Sequence, residues 1–129
     1  MFKKVLSSKI HRATVTQADL DYEGSITIPP DLLEATGIME FEAVCVWNVT
    51  RGTRFETYAI TGLPNSRDVC VNGAAAHLVK PGDLIIIANF AFVDGASTEK
   101  ITPKVVFVDE QNHIRQMRAE VAGPQLVAH

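Results

Sequence analysis

Short β-branched runs, each broken within about ten positions by Gly, Pro or Asn, constrain this chain more than any other feature it has. Lys9-Ile10-His11-Arg12-Ala13-Thr14-Val15-Thr16 alternates roughly and predicts a strand, as does Ser25-Ile26-Thr27-Ile28. Pro29-Pro30 stops the second run, and Pro30 suits the first turn of a short helix, Asp31 to Thr36, closed by Gly37. The clearest hairpin joins Ala43 to Val49 with Thr53 to Ile60 through Thr50-Arg51-Gly52. Asp68 to Val71 reads as another strand, Asn72-Gly73 as a turn, and Ala74 to Leu78 as at most a short helix. Lys80-Pro81-Gly82-Asp83 turns into Leu84 to Phe92, whose near-continuous apolar run predicts a strand buried on both faces. A last hairpin pairs Lys104 to Val108 with His113 to Met117. This makes about seven strands, with no amphipathic helix long enough to cover a sheet. The expected fold is all-β (mainly β): a small closed barrel with one or two short helices, in a single domain spanning 1–129. The tail, 121–129, has no clear period.

Charge narrows the partners. Twelve Lys and Arg against 15 Asp and Glu give a net charge of −3, which argues against nucleic acid, since phosphate contacts reward a basic surface. The basic cluster Lys3, Lys4, Lys9 and Arg12 suits a small anion better than a polymer. Cys45 and Cys70 each lie in an apolar run with no CxxC partner and read as buried free thiols. His77, His113 and His129 show no metal-ligand spacing with one another or with acids, so no metal is expected. No apolar stretch approaches the ~18 residues of a membrane helix, and the N-terminus lacks a signal peptide's apolar region. A soluble cytoplasmic protein with no membrane partner is the expectation.

Gly24-Ser25 is, on its own, an ordinary turn dipeptide. Its interest lies in what an internal serine can do in a strained backbone. Ser25 Oγ can attack the Gly24 carbonyl carbon through a five-membered ring and move the acyl group from nitrogen to oxygen. Elimination from that ester cuts the chain and leaves dehydroalanine, which water converts to ammonia and a pyruvoyl cap. Glycine before the bond reaches strained backbone angles and leaves its carbonyl open. The tetrahedral intermediate needs donors where negative charge develops. A ketone that forms a Schiff base with a substrate amine is an electron sink for amino-acid decarboxylation, the role otherwise filled by a bound cofactor.

Lys9 to Thr16, then Ala18-Asp19-Leu20 and Tyr22-Glu23-Gly24-Ser25, resemble the opening of the pyruvoyl-dependent aspartate 1-decarboxylases. The resemblance continues through Trp47-Asn48-Val49, Gly52-Thr53-Arg54, Thr57-Tyr58-Ala59-Ile60, Asn72-Gly73-Ala74-Ala75-Ala76-His77 and Pro81-Gly82-Asp83. Leu63-Pro64-Asn65 departs from it, and the region after Phe92 follows no motif closely. The resemblance implies a double-psi β-barrel in a homotetramer with intersubunit active sites. It also implies conversion of L-aspartate to β-alanine and CO2, for pantothenate and coenzyme A biosynthesis. The chain would self-cleave into residues 1–24 (β chain) and 25–129 (α chain), with a covalent pyruvoyl group derived from Ser25.

Carried over by residue, the resemblance makes Ser25 and Tyr58 catalytic, Tyr58 protonating the carbanion because a phenol keeps its proton at neutral pH yet can donate it. Gly24, Ser25, Thr57 and Asn72 would serve self-processing. Lys9, Arg54, Thr57, Gly73, Ala74 and Ala75 would hold substrate, Arg54 as a two-pronged clamp and Lys9 as a point charge. His11 and Tyr22 would support the cleavage loop. Strand alternation raises a difficulty. It puts Arg54 and Tyr58 on one face, roughly 13–14 Å apart along an extended strand, and Thr57 on the other. Arg54 and Tyr58 meet one small substrate only if Arg54 leans along the strand, and Thr57 joins only through a bulge, a twist or a strand end. An intersubunit site relaxes this, because faces of different chains can converge.

A rival reading comes from Gly24-Ser25-Ile26-Thr27-Ile28-Pro29 with Leu32-Leu33 and Thr36-Gly37-Ile38, which resemble the start of a swapped-hairpin DNA-binding barrel. Length, acidic balance and the Tyr58 and Asn72 segments stand against it. A third reading is an unprocessed, inactive family member, or a precursor that needs an accessory maturation factor.

Overall fold

The computed structural model describes residues 1–97 and 101–123. Nine strands form one sheet: β1 (Phe2–Thr14), β2 (Gln17–Asp19), β3 (Ser25–Ile28), β4 (Ala43–Asn48), β5 (Arg54–Thr61), β6 (Cys70–Asn72), β7 (Leu84–Asp94), β8 (Lys104–Val108) and β9 (Ile114–Ala119). Their order is β2-β6-β3-β5-β4-β7-β1-β8-β9. Only Val15 and Thr16 separate β1 from β2, although the two stand far apart in that order. The sheet therefore curls on itself, with Thr16 N donating to Val69 O at 2.9 Å and Val15 N to Asp83 O at 2.9 Å. The result is a small, mainly β barrel.

Alternation fills its centre. Ile10, Ile26, Ile28, Val46, Val71, Ile85, Ile87 and Val106 are wholly buried, and Leu32 and Leu33 of α1 (Pro30–Thr36) close over them. The helix starts on Pro30 and stops at Gly37, whose φ of 79° is left-handed and whose N–H returns to Leu33 O. Ser8, Asn89 and Glu42 form a polar chain across β1, β7 and the segment before β4: Ser8 Oγ donates to Asn89 Oδ1, and Asn89 Nδ2 to Glu42 Oε2 at 2.9 Å.

Several boundaries differ from expectation. The described residues form nine strands where about seven were expected, because β2 and β6 are three-residue pieces too short to show a period. β1 starts at Phe2 rather than Lys9, since pairing with β7 from Phe2↔Asp94 carries a strand through residues that do not alternate. β7 is buried on both faces only around Ile87 to Asn89, while Phe92 at its far end is exposed. The two cysteines are free but only half-buried. No helix among the described residues is long and apolar enough to cross a membrane. The tail's last residues, 124–129, with His129, lie outside the described residues.

Candidate active site

Ser25 opens β3 and faces a cleft of about 730 Å³ where β3, β5 and β6 run side by side. Pairing dictates its company. Ser25 sits opposite Asn72 of antiparallel β6, and Ile26 opposite Ala59 of parallel β5, which sets Tyr58 beside it. Alternation then turns Ser25, Thr27, Tyr58 and Ile60 to the cleft, while Ile26 and Ala59 go fully into the core.

Ser25 is 6% exposed, yet its hydroxyl is weakly held. Its one partner among the described residues is the Asn72 amide, whose Nδ2 donates to Oγ at 3.5 Å, the long limit for such a bond. A lightly engaged oxygen with a donor aimed at it suits a nucleophile whose neighbour must carry growing negative charge. Tyr22, Asp21 and Glu23 line the same cleft from the loop before Ser25. Cys70 lies there as well, its thiol donating to Gln17 Oε1 at 3.6 Å. Burial pushes that thiol up, with the Asp68 carboxylate adding to it, against an opposing hydrogen bond from Thr16. It stays protonated and offers Ser25 no competing thiolate.

Gly24 and Gly73 touch through backbone. Gly73 follows Asn72, begins a 3-10 helix (Gly73–Leu78) and has a φ of 73°. Gly24 does not share that left-handed backbone, and a Cβ there would meet only Asn72 O at 3.9 Å, ordinary contact. Ala74 is exposed on the 3-10 helix, and Ala75 packs against the core.

Lys9, His11 and Arg54 lie elsewhere on the chain. Lys9 Nζ is 3.0 Å from the Glu120 carboxylate, in a depression shared with His11, Phe107 and Arg118. The His11 ring meets Phe107 edge-on at 5.0 Å, and burial, then the Lys9 and Arg12 cations, lower its pKa. The Arg54 guanidinium lies 4.8 Å over the ring of Trp47, its cross-strand partner, and makes no ion pair among the described residues. β5 pairs with β3 and β4 without a register shift, so Thr57 stays half-buried on the strand face opposite Tyr58. The cleft thus gathers Ser25, Tyr58, Tyr22 and Asn72, while Gly24 and Gly73, next to Ser25 and Asn72 in the chain, do not line it. It does not gather the cations or Thr57.

Sequence reasoning missed Thr27, Gln17, Cys70 and Glu120. Thr27 was within reach, two places along the strand from Ser25. Gln17 and Cys70 enter only through the β2-β6-β3 pairing, and Glu120 lies 111 positions from Lys9.

The geometry can be set beside known proteins. Residues 1–115 match the family model described as aspartate decarboxylase. A Legionella pneumophila (strain Lens) protein named aspartate 1-decarboxylase is 62% identical over 122 residues, 95% of this chain and 92% of the relative. A Myxococcus xanthus protein of the same name is 57% identical over 126 residues, covering 97% of each chain. A Rhodopirellula baltica protein, also so named, is 57% identical over 125 residues, 97% of this chain and 80% of the relative. The DNA-binding alternative is not favoured.

Proposed function

The chain belongs to the aspartate decarboxylase family, and from that premise we propose that Ser25 is the residue whose conversion to a pyruvoyl group makes it an enzyme. The reaction is decarboxylation of L-aspartate to β-alanine, which supplies pantothenate synthesis. The observation that carries the Ser25 assignment is the convergence of Ser25, Asn72 and Tyr58 in one cleft.

Cutting needs little beyond these residues. Ser25 Oγ attacks the Gly24 carbonyl carbon, its proton passes to the nitrogen of residue 25, the C–N bond breaks, and the amine is released as the ester forms. Loss of the Cα proton with cleavage of the Cβ–O bond then frees the Gly24 carboxylate. Water replaces the nitrogen, which leaves as ammonia. Negative charge in the tetrahedral intermediate develops on the Gly24 carbonyl oxygen, and the Asn72 amide, which already reaches the adjacent Ser25 Oγ, is the donor we assign to it. A carbonyl at residue 25 fits the place: it would be walled from solvent on the core side, open to the cleft, and within reach of that amide. Such a group supplies an electron sink for the carbon that loses CO2.

The chain's other residues bind and move protons. Tyr58 stands at the cleft wall, where its hydroxyl can return a proton to the substrate carbon. Aspartate brings two carboxylates, yet among the described residues the charged ones of the cleft wall are Asp21 and Glu23. The cations that hold substrate, Lys9 and Arg54, therefore act from a neighbouring chain, in a homotetramer with intersubunit sites. Thr57 and the backbone of Gly73, Ala74 and Ala75 complete the contacts, with His11 and Tyr22 in support. The working compartment is the cytoplasm.

Intact-mass measurement of the purified protein, alongside a β-alanine assay, tests this. Two fragments are expected, 1–24 and 25–129, the larger with a pyruvoyl end. A single uncut species that makes no β-alanine would overturn it.

A further inference from the structure

We propose that Gly73 is a positioning residue for self-processing, a backbone abutment that fixes Gly24 against the scissile bond. The proposal rests on the reading of Gly24-Ser25 as the cut site and adds a residue whose part is played without a side chain.

Among the described residues four glycines have left-handed backbone: Gly37, Gly52, Gly73 and Gly82. At three of them a Cβ would meet nothing within 4 Å, so only the backbone angle asks for glycine. Gly73 differs. A Cβ there would lie 2.5 Å from Gly24 Cα and 2.8 Å from Gly24 N, with Tyr22 O at 3.2 Å. All three atoms are backbone, so no flexible side chain can swing aside. Ordinary carbon contacts begin at about 3.5 Å, so a methyl at 73 must move Gly24 by about 1 Å.

That displacement would act on one side of the scissile bond only. Ser25 is held by its pairing with Asn72 and by the fully buried Ile26 that follows it, and it stays where it is. Gly24 is exposed and can lift away. The carbonyl carbon would leave the reach of Oγ while the barrel beneath kept its packing. Close approach of two backbones at Gly73 and Gly24 is thus what aligns the attack, and the residue that cannot carry a Cβ for steric reasons is Gly73 rather than Gly24.

The test compares Gly73→Ala and Gly73→Asn with Gly37→Ala and Gly37→Asn, following cutting of freshly purified precursor by intact mass and recording each melting temperature. Asn tolerates left-handed backbone better than Ala, so it eases the strain while keeping the Cβ. A misplacement of this size should slow cutting by about 100-fold in both Gly73 variants. The Gly37 variants should cut at the wild-type rate, with a loss of melting temperature similar to that of their Gly73 counterparts. A folded Gly73 variant that cuts at the wild-type rate would overturn the proposal. So would loss of fold in both Gly73 variants while the Gly37 pair folds, since the contact would then hold the barrel and not the loop. An uncut wild-type protein would instead count against the cut site itself.

Discussion

The Ser25 cleft and the Lys9 depression are built from the same sheet and have opposite chemistry. The cleft, on β3, β5 and β6, holds a serine hydroxyl with one long hydrogen bond, two phenols and two acids. The depression, on β1, β8 and the end of β9, holds two cations and an imidazole, and its lysine is already matched by Glu120 at 3.0 Å. On the proposed function, cutting is local chemistry between adjacent residues, and a single chain keeps the groups assigned to it apart from the cations assigned to an acidic substrate. Binding a molecule with two carboxylates calls for cations, and the cleft wall has none among the described residues.

The largest effect expected from this contrast is at Ser25. Ser25→Ala should leave the chain whole and abolish β-alanine formation, and activity in an uncut Ser25→Ala protein would break the assignment. Tyr58→Phe should separate the two functions within the cleft. Cutting should proceed normally while turnover falls by about 10²–10⁴-fold, the usual contribution of a positioned proton donor. Unchanged turnover would remove Tyr58 from that role.

The division between the regions is sharpened by Lys9→Ala. This variant should cut normally and raise KM for aspartate by about 10–100-fold, the loss of one charge-assisted bond. Co-expressed with Ser25→Ala, it should form mixed oligomers that recover activity at low aspartate, each chain supplying what the other lacks. No recovery would mean that Lys9 serves its own chain's cleft.

The smallest effect concerns the frame that carries both regions. Asp83, 2% exposed, accepts bonds from Arg51 Nε at 2.7 Å, Asn48 Nδ2 at 2.9 Å and Lys80 N at 2.9 Å. Burial alone would raise its carboxyl, but these bonds outweigh burial and its pKa lies below the ordinary value. The stability it contributes is present above the unfolded carboxylate pKa of about 3.9 and is lost as pH falls through the lower folded value. Asp83→Asn should cost about 1–3 kcal/mol at neutral pH in urea unfolding and flatten the acid limb, without slowing the cut at Ser25. An equally steep acid limb in the variant would place its source in another carboxylate.

Much of the frame was legible in the residues themselves. The Ser25 to Ile28 strand has the predicted bounds, the Gly37 stop is left-handed as its position suggested, and the β4–β5 and β8–β9 hairpins are where turn residues placed them. These depend on period and turn chemistry, which act within a few residues. Asn72, Tyr22 and Tyr58 stand in the segments that carry the family resemblance, and the barrel brings them into the cleft with Ser25. Gln17 and Cys70 carried no such sign, because β2 and β6 hold their places only through the strands they pair with.

Taken alone, the sequence determined the strand-rich barrel class, the Gly24-Ser25 bond as a place where serine chemistry could begin, and the family. The tertiary structure alone decided which of the named residues share a cleft. It put Lys9 against Glu120 and Arg54 against Trp47, gave the Ser25 cleft no cation among the described residues, and brought Gly73 so close to Gly24 that a Cβ there would meet its backbone. The reason is physical: periodicity and turns set each residue's face, whereas contact between residues tens of positions apart depends on strand order and register, which no local pattern encodes.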